Sequence, residues 1–357
     1  MITYISEYEH IVLLLILTCL FILGLKRREN SQDYSGFRID KDYSGALKGI
    51  ACVLILMSHY EQMIHNGHVH HLSQSTSITF LVGNCAYNIG LVWFMFISGY
   101  GLTVSKSGIK DHLLGTYKRC SKVVYPMLFI FTMSLLIYII LPGLLPLNYV
   151  EDYVIPQELY MLKGVMDFNI GTFLFAPIKW YWYVWCILMY YVIFYASDYL
   201  SQRYNMSMTV VLLLFLSIYY ISTFNILGAS LAHYYRLTWA FFCGHLFAKW
   251  KDIPLWLKLS GTILGLLSFH YESSIMILSF VIAIIIILIV AKLQKKFEFN
   301  SRALLFLGSI SYIFYLSHRR IGWVVCCYLS TYDMLIWVMM TLIISSMLHK
   351  IYYKVIN

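Results

Sequence analysis

Apolar residues in this chain neither recur at the three-to-four spacing of an amphipathic helix nor alternate as in a strand; they run on without interruption. Such stretches fall at about 9–25, 45–64, 86–104, 123–141, 179–199, 207–224, 235–250, 255–270, 273–291, 302–318 and 331–349. A helix needs about 20 apolar residues to cross the ~30 Å core of a bilayer. The pattern therefore predicts an all-α, polytopic transmembrane helix bundle of about 11 spans. The stretches 235–250 and 255–270 are the shortest and lie close together. Two connections are long. One, 65–85, holds His65, His68, His70 and His71; the other, 142–178, holds Pro142, Pro146, Pro156 and Pro177. Neither is long enough for a separate soluble domain. The spans do not divide into two matching halves, which argues against a transporter built from inverted repeats. The first stretch follows Glu7 and Glu9 and precedes Lys26-Arg27-Arg28, the reverse of a signal peptide's charge order.

Composition agrees with a bilayer as the solvent. Of the 357 residues, 60% are hydrophobic and 12% charged, against about 25% charged in soluble domains. The eight cysteines form no C-x-x-C pair and mostly sit in apolar runs, so they read as small apolar residues rather than a disulfide or zinc framework. The loop histidines have no carboxylate or thiol beside them at ligand spacing, and no metal is expected.

Net charge is +9, and its placement decides what it means. With the N-terminus outside and the spans alternating, 21 of the 26 Lys and Arg residues fall on the inner side. The outer side keeps Lys163, Lys179, Arg236, Arg319 and Arg320. This is the positive-inside asymmetry of a membrane protein with its C-terminus inside. The basic excess faces anionic lipid, and no nucleic-acid partner is implied.

Ionisable residues inside spans mark candidate chemistry. Lys48 and His59 lie eleven residues apart in the second span. That is three helical turns plus roughly 20°, so both project from one face, about 16 Å apart along the axis. Lys48 alone reads equally well as a snorkelling cation, and His59 as a helix–helix hydrogen bond. Ser58 and Glu61 flank His59, but Glu61, two residues on, leaves its face. In the third span, Gly90, Ser98, Gly99 and Gly101 permit close helix approach or the passage of a thin ligand. Arg119 and Lys122, three apart on a basic stretch before Pro126, suit a phosphate or anchor the inner surface. Trp182 and Trp185, in the run Trp180–Trp185, suit an interfacial belt or a stacking surface for a sugar. His318 falls at the outer end of its span, near the depth of His59.

Five features in this order resemble the membrane-bound acyltransferase 3 family. They are the Lys48–His59 segment, FMFISGYGLT at 94–103, the basic stretch ending Tyr125-Pro126, the Trp-Tyr cluster, and LGSISYIFYLSH at 307–318. The resemblance implies a bacterial cytoplasmic-membrane enzyme. It would move an acyl group, usually acetyl, from cytoplasmic acetyl-CoA to a hydroxyl of a surface or secreted polysaccharide or its lipid-linked precursor. It places His59 as the essential histidine, Lys48 where an arginine is usual, Arg119 and Lys122 as a basic pair, and His318 as the histidine after Tyr-Leu. Lys48 and Lys122 depart from the usual arginines and lack their bidentate fork. By this reading, residues 45–357 form the acyltransferase domain and 1–44 add one helix and a linker. His59 and Lys48 are the catalytic candidates, and Lys48, Arg119 and Lys122 the acyl-CoA contacts. His318, Trp182, Trp185 and Glu61 are candidate acceptor contacts. The alternative is a flippase or exporter of a lipid-linked glycan, which would need no acyl-CoA.

Overall fold

The structure is a computed structural model that describes residues 3–29, 38–65, 77–105, 112–140, 181–227, 235–249, 274–329 and 333–356. The described residues form ten helices: α1 (Thr3–Leu23), α2 (Lys41–His65), α3 (Ser77–Ser105), α4 (His112–Ile140), α5 (Trp182–Arg203), α6 (Met208–Leu227), α7 (Thr238–Ala248), α8 (Ser274–Leu293), α9 (Arg302–Leu329) and α10 (Met334–Ile356). Two three-residue strands, β1 (Leu25–Arg27) and β2 (Phe297–Phe299), pair antiparallel. The protein is all-α and membrane-embedded. Among the described residues six helices, α3, α4, α5, α6, α8 and α10, are long and apolar enough to cross a bilayer. The expected span at 255–270 lies outside the described residues.

The helices sort by how much protein surrounds them. α3 buries 72% of its apolar window, whereas α6 buries 22% and α8 and α10 each 28%. Those last three present most of their surface to lipid. α2 is more enclosed still, with every residue from 51 to 58 buried. It packs between α3 and α9. A helix shielded by protein need not match lipid, and α2 and α9 carry the polar residues that a lipid-facing helix would not tolerate.

Close backbone approach builds this centre. A Cβ on Gly308 of α9 would fall on the Gly45 carbonyl of α2, and one on Gly90 of α3 would come 2.8 Å from the Ala51 carbonyl. Where α3 crosses α7, Gly99 faces the Phe241 carbonyl and Gly244 the Phe96 carbonyl, each without room for a side chain. Beside that crossing the buried His245 joins three helices. Its Nδ1 lies 2.9 Å from Thr103 Oγ1 of α3, and its Nε2 3.0 Å from Thr209 Oγ1 of α6.

Several boundaries differ from the sequence expectation. α3 starts at Ser77 rather than near 86, α4 at His112 rather than near 123, and α9 runs to Leu329 rather than ending at 318. Ahead of α4 the added turns are polar, so the helix outruns the apolar stretch, whereas α9 continues through Ile321–Leu329, which is itself largely apolar. Pro126 therefore sits inside α4 rather than ahead of it. α7 has 11 residues, about 16 Å of helix, too short to cross a bilayer.

The strand pair gathers one end of the bundle. Lys26 lies opposite Glu298, 3.6 Å away. Arg28 bridges to Asp40 at 3.0 Å, and the Asp40 amide donates to Gln294 Oε1 at 3.0 Å. The Ile39 amide donates to the Tyr100 hydroxyl at 2.9 Å. The basic segments around 26–41 and 292–302 thus share one end, the basic end. At the opposite end, Glu9 Oε2 accepts from the Met334 amide at 3.1 Å, and His10 Nε2 lies 2.9 Å from Glu61 Oε1. Those contacts tie α1 to α10 and α2.

Candidate active site

His59 stands near the end of α2 opposite the basic end and is half-buried. Its ring centroid lies 5.0 Å from that of His318 on α9 and 5.6 Å from that of Tyr87 on α3. The two histidines, 259 positions apart in number, therefore share one site, as their similar predicted depth suggested. His318 is buried, and its Nδ1 lies 2.6 Å from the Tyr315 carbonyl. Since a carbonyl only accepts, Nδ1 carries the proton and Nε2 keeps a lone pair. That Nε2 has no hydrogen-bond partner among the described residues. The Trp337 indole of α10 donates to the His318 carbonyl at 2.8 Å and holds this turn of α9 in place.

Aromatic side chains wall the site. Tyr315 lies 5.8 Å from His318 and 5.3 Å from Tyr183, and Phe94 is 6.3 Å from both tyrosines. Arg236, buried at the start of α7, places its guanidinium 5.8 Å over the Tyr87 ring and 5.9 Å over the Trp182 ring. Its charge also acts on the Tyr87 hydroxyl. Arg320 lies 4.7 Å over Tyr181 and donates to the Leu316 carbonyl.

The other sequence candidates separate. Trp182 joins this wall, whereas Trp185 packs with Val184, Leu188 and the α4 residues Met127 and Phe131. Glu61 is buried against His10, and its Oε2 has no hydrogen-bond partner among the described residues. Lys48 is half-buried towards the basic end, where the charges of Arg119 and Lys41 act on it. Arg119 donates to Ser105 Oγ at 2.6 Å. Lys122, although only three residues on, is exposed and lines a cavity of about 410 Å³ between α4, α9 and α10, with Tyr125, Ser309 and His349. The side chains of the four loop histidines, 65, 68, 70 and 71, lie outside the described residues. Among the described residues no group of His, Cys, Asp and Glu could hold a metal ion.

Between the two ends stands a ladder of buried hydroxyls. Tyr191 hydrogen-bonds Ser98 and feels the charge of Arg119. Tyr183 and Tyr312 lie within electrostatic reach of Tyr191, and both also reach Tyr315 beside His318. The geometry joins a cationic end and a paired-imidazole end through the interior of one bundle. A family model described as an acyltransferase domain matches residues 41–349. The chain belongs to the acyltransferase 3 family. No curated protein and no solved structure matches it.

The acyltransferase 3 match starts at the first residue of α2 and ends within α10, so α1 and β1 lie outside it. Membership makes this a multi-pass membrane acyltransferase. The match encloses Lys48, His59, Arg119, Trp182 and His318, also Tyr183 and Tyr315, which the sequence reading held only as parts of its Trp-Tyr cluster and LGSISYIFYLSH segment, and Tyr87 and Arg236, which it passed over as site residues. Arg236 counted there only as one of five basic residues on the less basic side. Its position among Tyr234, Tyr235 and Trp239 at the edge of an apolar run was the available signal. The tyrosines carried none, because buried aromatic residues are ordinary in any such helix.

Proposed function

We propose that the protein transfers an acetyl group from cytoplasmic acetyl-CoA to a hydroxyl of a surface or secreted polysaccharide or its lipid-linked precursor. The basic end faces the cytoplasm of a bacterial cell membrane, in keeping with the Lys and Arg residues that the paired strands gather there, Lys26 and Arg28 beside the segment 292–302. Lys48 and Arg119 receive the CoA phosphates there, and the thin pantetheine arm follows the face of α2 towards His59. One observation carries the reading: Lys48 and His59 share a face of a helix packed between α3 and α9, and His59 meets the ring of His318 at 5.0 Å.

The chemistry is acyl substitution. The acceptor hydroxyl oxygen bonds to the thioester carbonyl carbon while its proton passes to His59 as general base. The carbonyl electron pair moves onto oxygen. On collapse the C=O re-forms, the C–S bond breaks, and the departing thiolate takes the proton from the His59 imidazolium. An ester and CoA thiol result. His318, with its lone pair on Nε2, accepts from a second hydroxyl of the acceptor and so holds it beside His59. Trp182 offers an aromatic face to a glycan, with the buried Arg236 behind it. The family membership and the paired imidazoles favour this over lipid-linked glycan export, which requires neither.

Inverted membrane vesicles given radiolabelled acetyl-CoA test the reading through alkali-labile label in the extracted glycan and lipid fractions. His59→Ala should reduce incorporation at least ~10²-fold, the scale of a positioned base, with the protein still inserted. Full incorporation by an inserted His59→Ala protein would overturn it.

A further inference from the structure

An acyl-transfer site needs more than a base. As the acceptor attacks, the thioester oxygen gains a full negative charge, and a donor must meet it there. In many acyl-transfer enzymes that donor is a spare backbone amide. Here His59 and His318 stand inside long helices, where the amides are already committed to the helical ladder. The two helices that carry the histidines therefore leave the donor role to a side chain. His318 is unsuited, because its one N–H is directed to the Tyr315 carbonyl. Ser58 adjoins His59 in sequence and so points about 100° away on the helix.

We propose that the Tyr87 hydroxyl is the oxyanion donor and that Arg236 is the residue that positions and polarises it. The inference rests on the acyl-transfer reading and adds the group that stabilises its intermediate. Tyr87 meets the His59 ring edge-on at 5.6 Å, with an interplanar angle of 67°. It therefore borders the space in which the base works without stacking across it. The Arg236 guanidinium lies over the same ring, where its charge acts on the Tyr87 hydroxyl. Guanidinium groups only donate, so in any bond between the two the phenol oxygen accepts and keeps its own proton. A phenol accepting from a cation is a stronger donor than a free one, since its electron density is drawn away as the new hydrogen bond forms. When the hydroxyl oxygen attacks and His59 takes its proton, the electron pair displaced from the thioester C=O arrives opposite the Tyr87 O–H. The hydrogen bond shortens there without proton loss, and it relaxes when the C–S bond breaks and the carbonyl returns. Arg236 itself is buried one layer behind. Its charge counterbalances that of the intermediate without contacting it.

The test uses the full-length protein in inverted vesicles, with radiolabelled acetyl-CoA as the varied substrate. Tyr87→Phe should lower the maximal rate about 10²-fold, the usual loss for one oxyanion donor, and leave the acetyl-CoA concentration for half-saturation nearly unchanged. Arg236→Gln should lower the maximal rate too, Arg236→Lys less so. In the Tyr87→Phe background Arg236→Gln should add little, because both act through one hydroxyl. Tyr315→Phe, on the far side of His318, should cost far less than Tyr87→Phe. Ring-fluorinated tyrosines at position 87 keep the shape and change only the acidity of the hydroxyl, so the rate should follow that acidity. An unchanged maximal rate in Tyr87→Phe, additive losses with Arg236→Gln, or no trend across the fluorinated series would each overturn the proposal. If Tyr87→Phe fails to insert, the fluorinated series alone decides. His59→Ala in the same vesicles separates the two ideas. Loss with His59→Ala but not with Tyr87→Phe removes the oxyanion assignment alone, whereas full activity in His59→Ala removes the acyl-transfer reading beneath it.

Discussion

A lysine at position 48 is costly to keep where the next turns of its helix are buried on every side, and the nearby charges of Arg119 and Lys41 make it costlier. Gathered cations become favourable when an anion sits among them. Lys48→Met and Arg119→Gln should therefore each raise the acetyl-CoA requirement about ten- to a hundredfold, the equivalent of one charge-assisted contact of ~1.5–3 kcal/mol. Lys48→Arg should keep activity. Lys122→Gln should change saturation by less than about fivefold, because an exposed pair contributes roughly 0–1 kcal/mol. Titration of acetyl-CoA in inverted vesicles reads all four. His318→Ala should leave more residual activity than His59→Ala and act chiefly through acceptor saturation, since it removes a holding contact rather than the base. Local pattern exposes some of these residues and hides others. Lys48 and His59 share one helix, so their common face follows from counting. Arg119 and Lys122 also share a helix, yet they serve different neighbours, Ser105 on one side and the crevice near His349 on the other. Tyr87 and Arg236 meet only through the packing of α3 against α7, which no spacing within either helix encodes.

Between helices, the crossing of α3 and α7 sets how closely the walls of the site approach. Gly99 and Gly244 each leave no space for a Cβ, while Gly101, two residues along, has nothing within 4 Å. Gly99→Ala should force the helices apart and destabilise the protein by about 1–3 kcal/mol. Gly101→Ala should be neutral or stabilising by up to ~1 kcal/mol, since alanine is the better helix former. Thermal unfolding in detergent distinguishes them. Thr103→Val, which removes one of the two hydroxyls bridged by the His245 ring, should cost about 1–3 kcal/mol by leaving a buried ring nitrogen unmatched. Apolar run length made most helices legible, and the Gly90–Gly101 series announced a close contact. It did not say which glycine would be used, because that depends on the partner surface. The strand pair was invisible for a related reason. Three residues are too few to show alternation, and their partners lie at the far end of the chain.

For the molecule as a whole, the two ends define an orientation. Reporter fusions after Ile356 should read cytoplasmic, and cysteines placed in 65–85 should be labelled from outside; a C-terminus found outside would reverse the assignment of the CoA side. α1 adds a feature of another kind. It is secured at the basic end through Arg28 and the carbonyl of Phe297, 269 positions later, and at the other end through Glu9 and the amide of Met334, 325 positions later. α1 is thus made well before two of the segments that fasten it. At about 5–20 residues per second, the buried Glu9 waits on the order of tens of seconds for the Met334 amide, whereas His10 meets Glu61 of α2 early. Chains arrested before residue 297 should consequently be cleared by membrane proteases much faster than chains arrested after 340, and pulse-chase labelling would measure the difference. Segments made late decide whether a helix made much earlier survives.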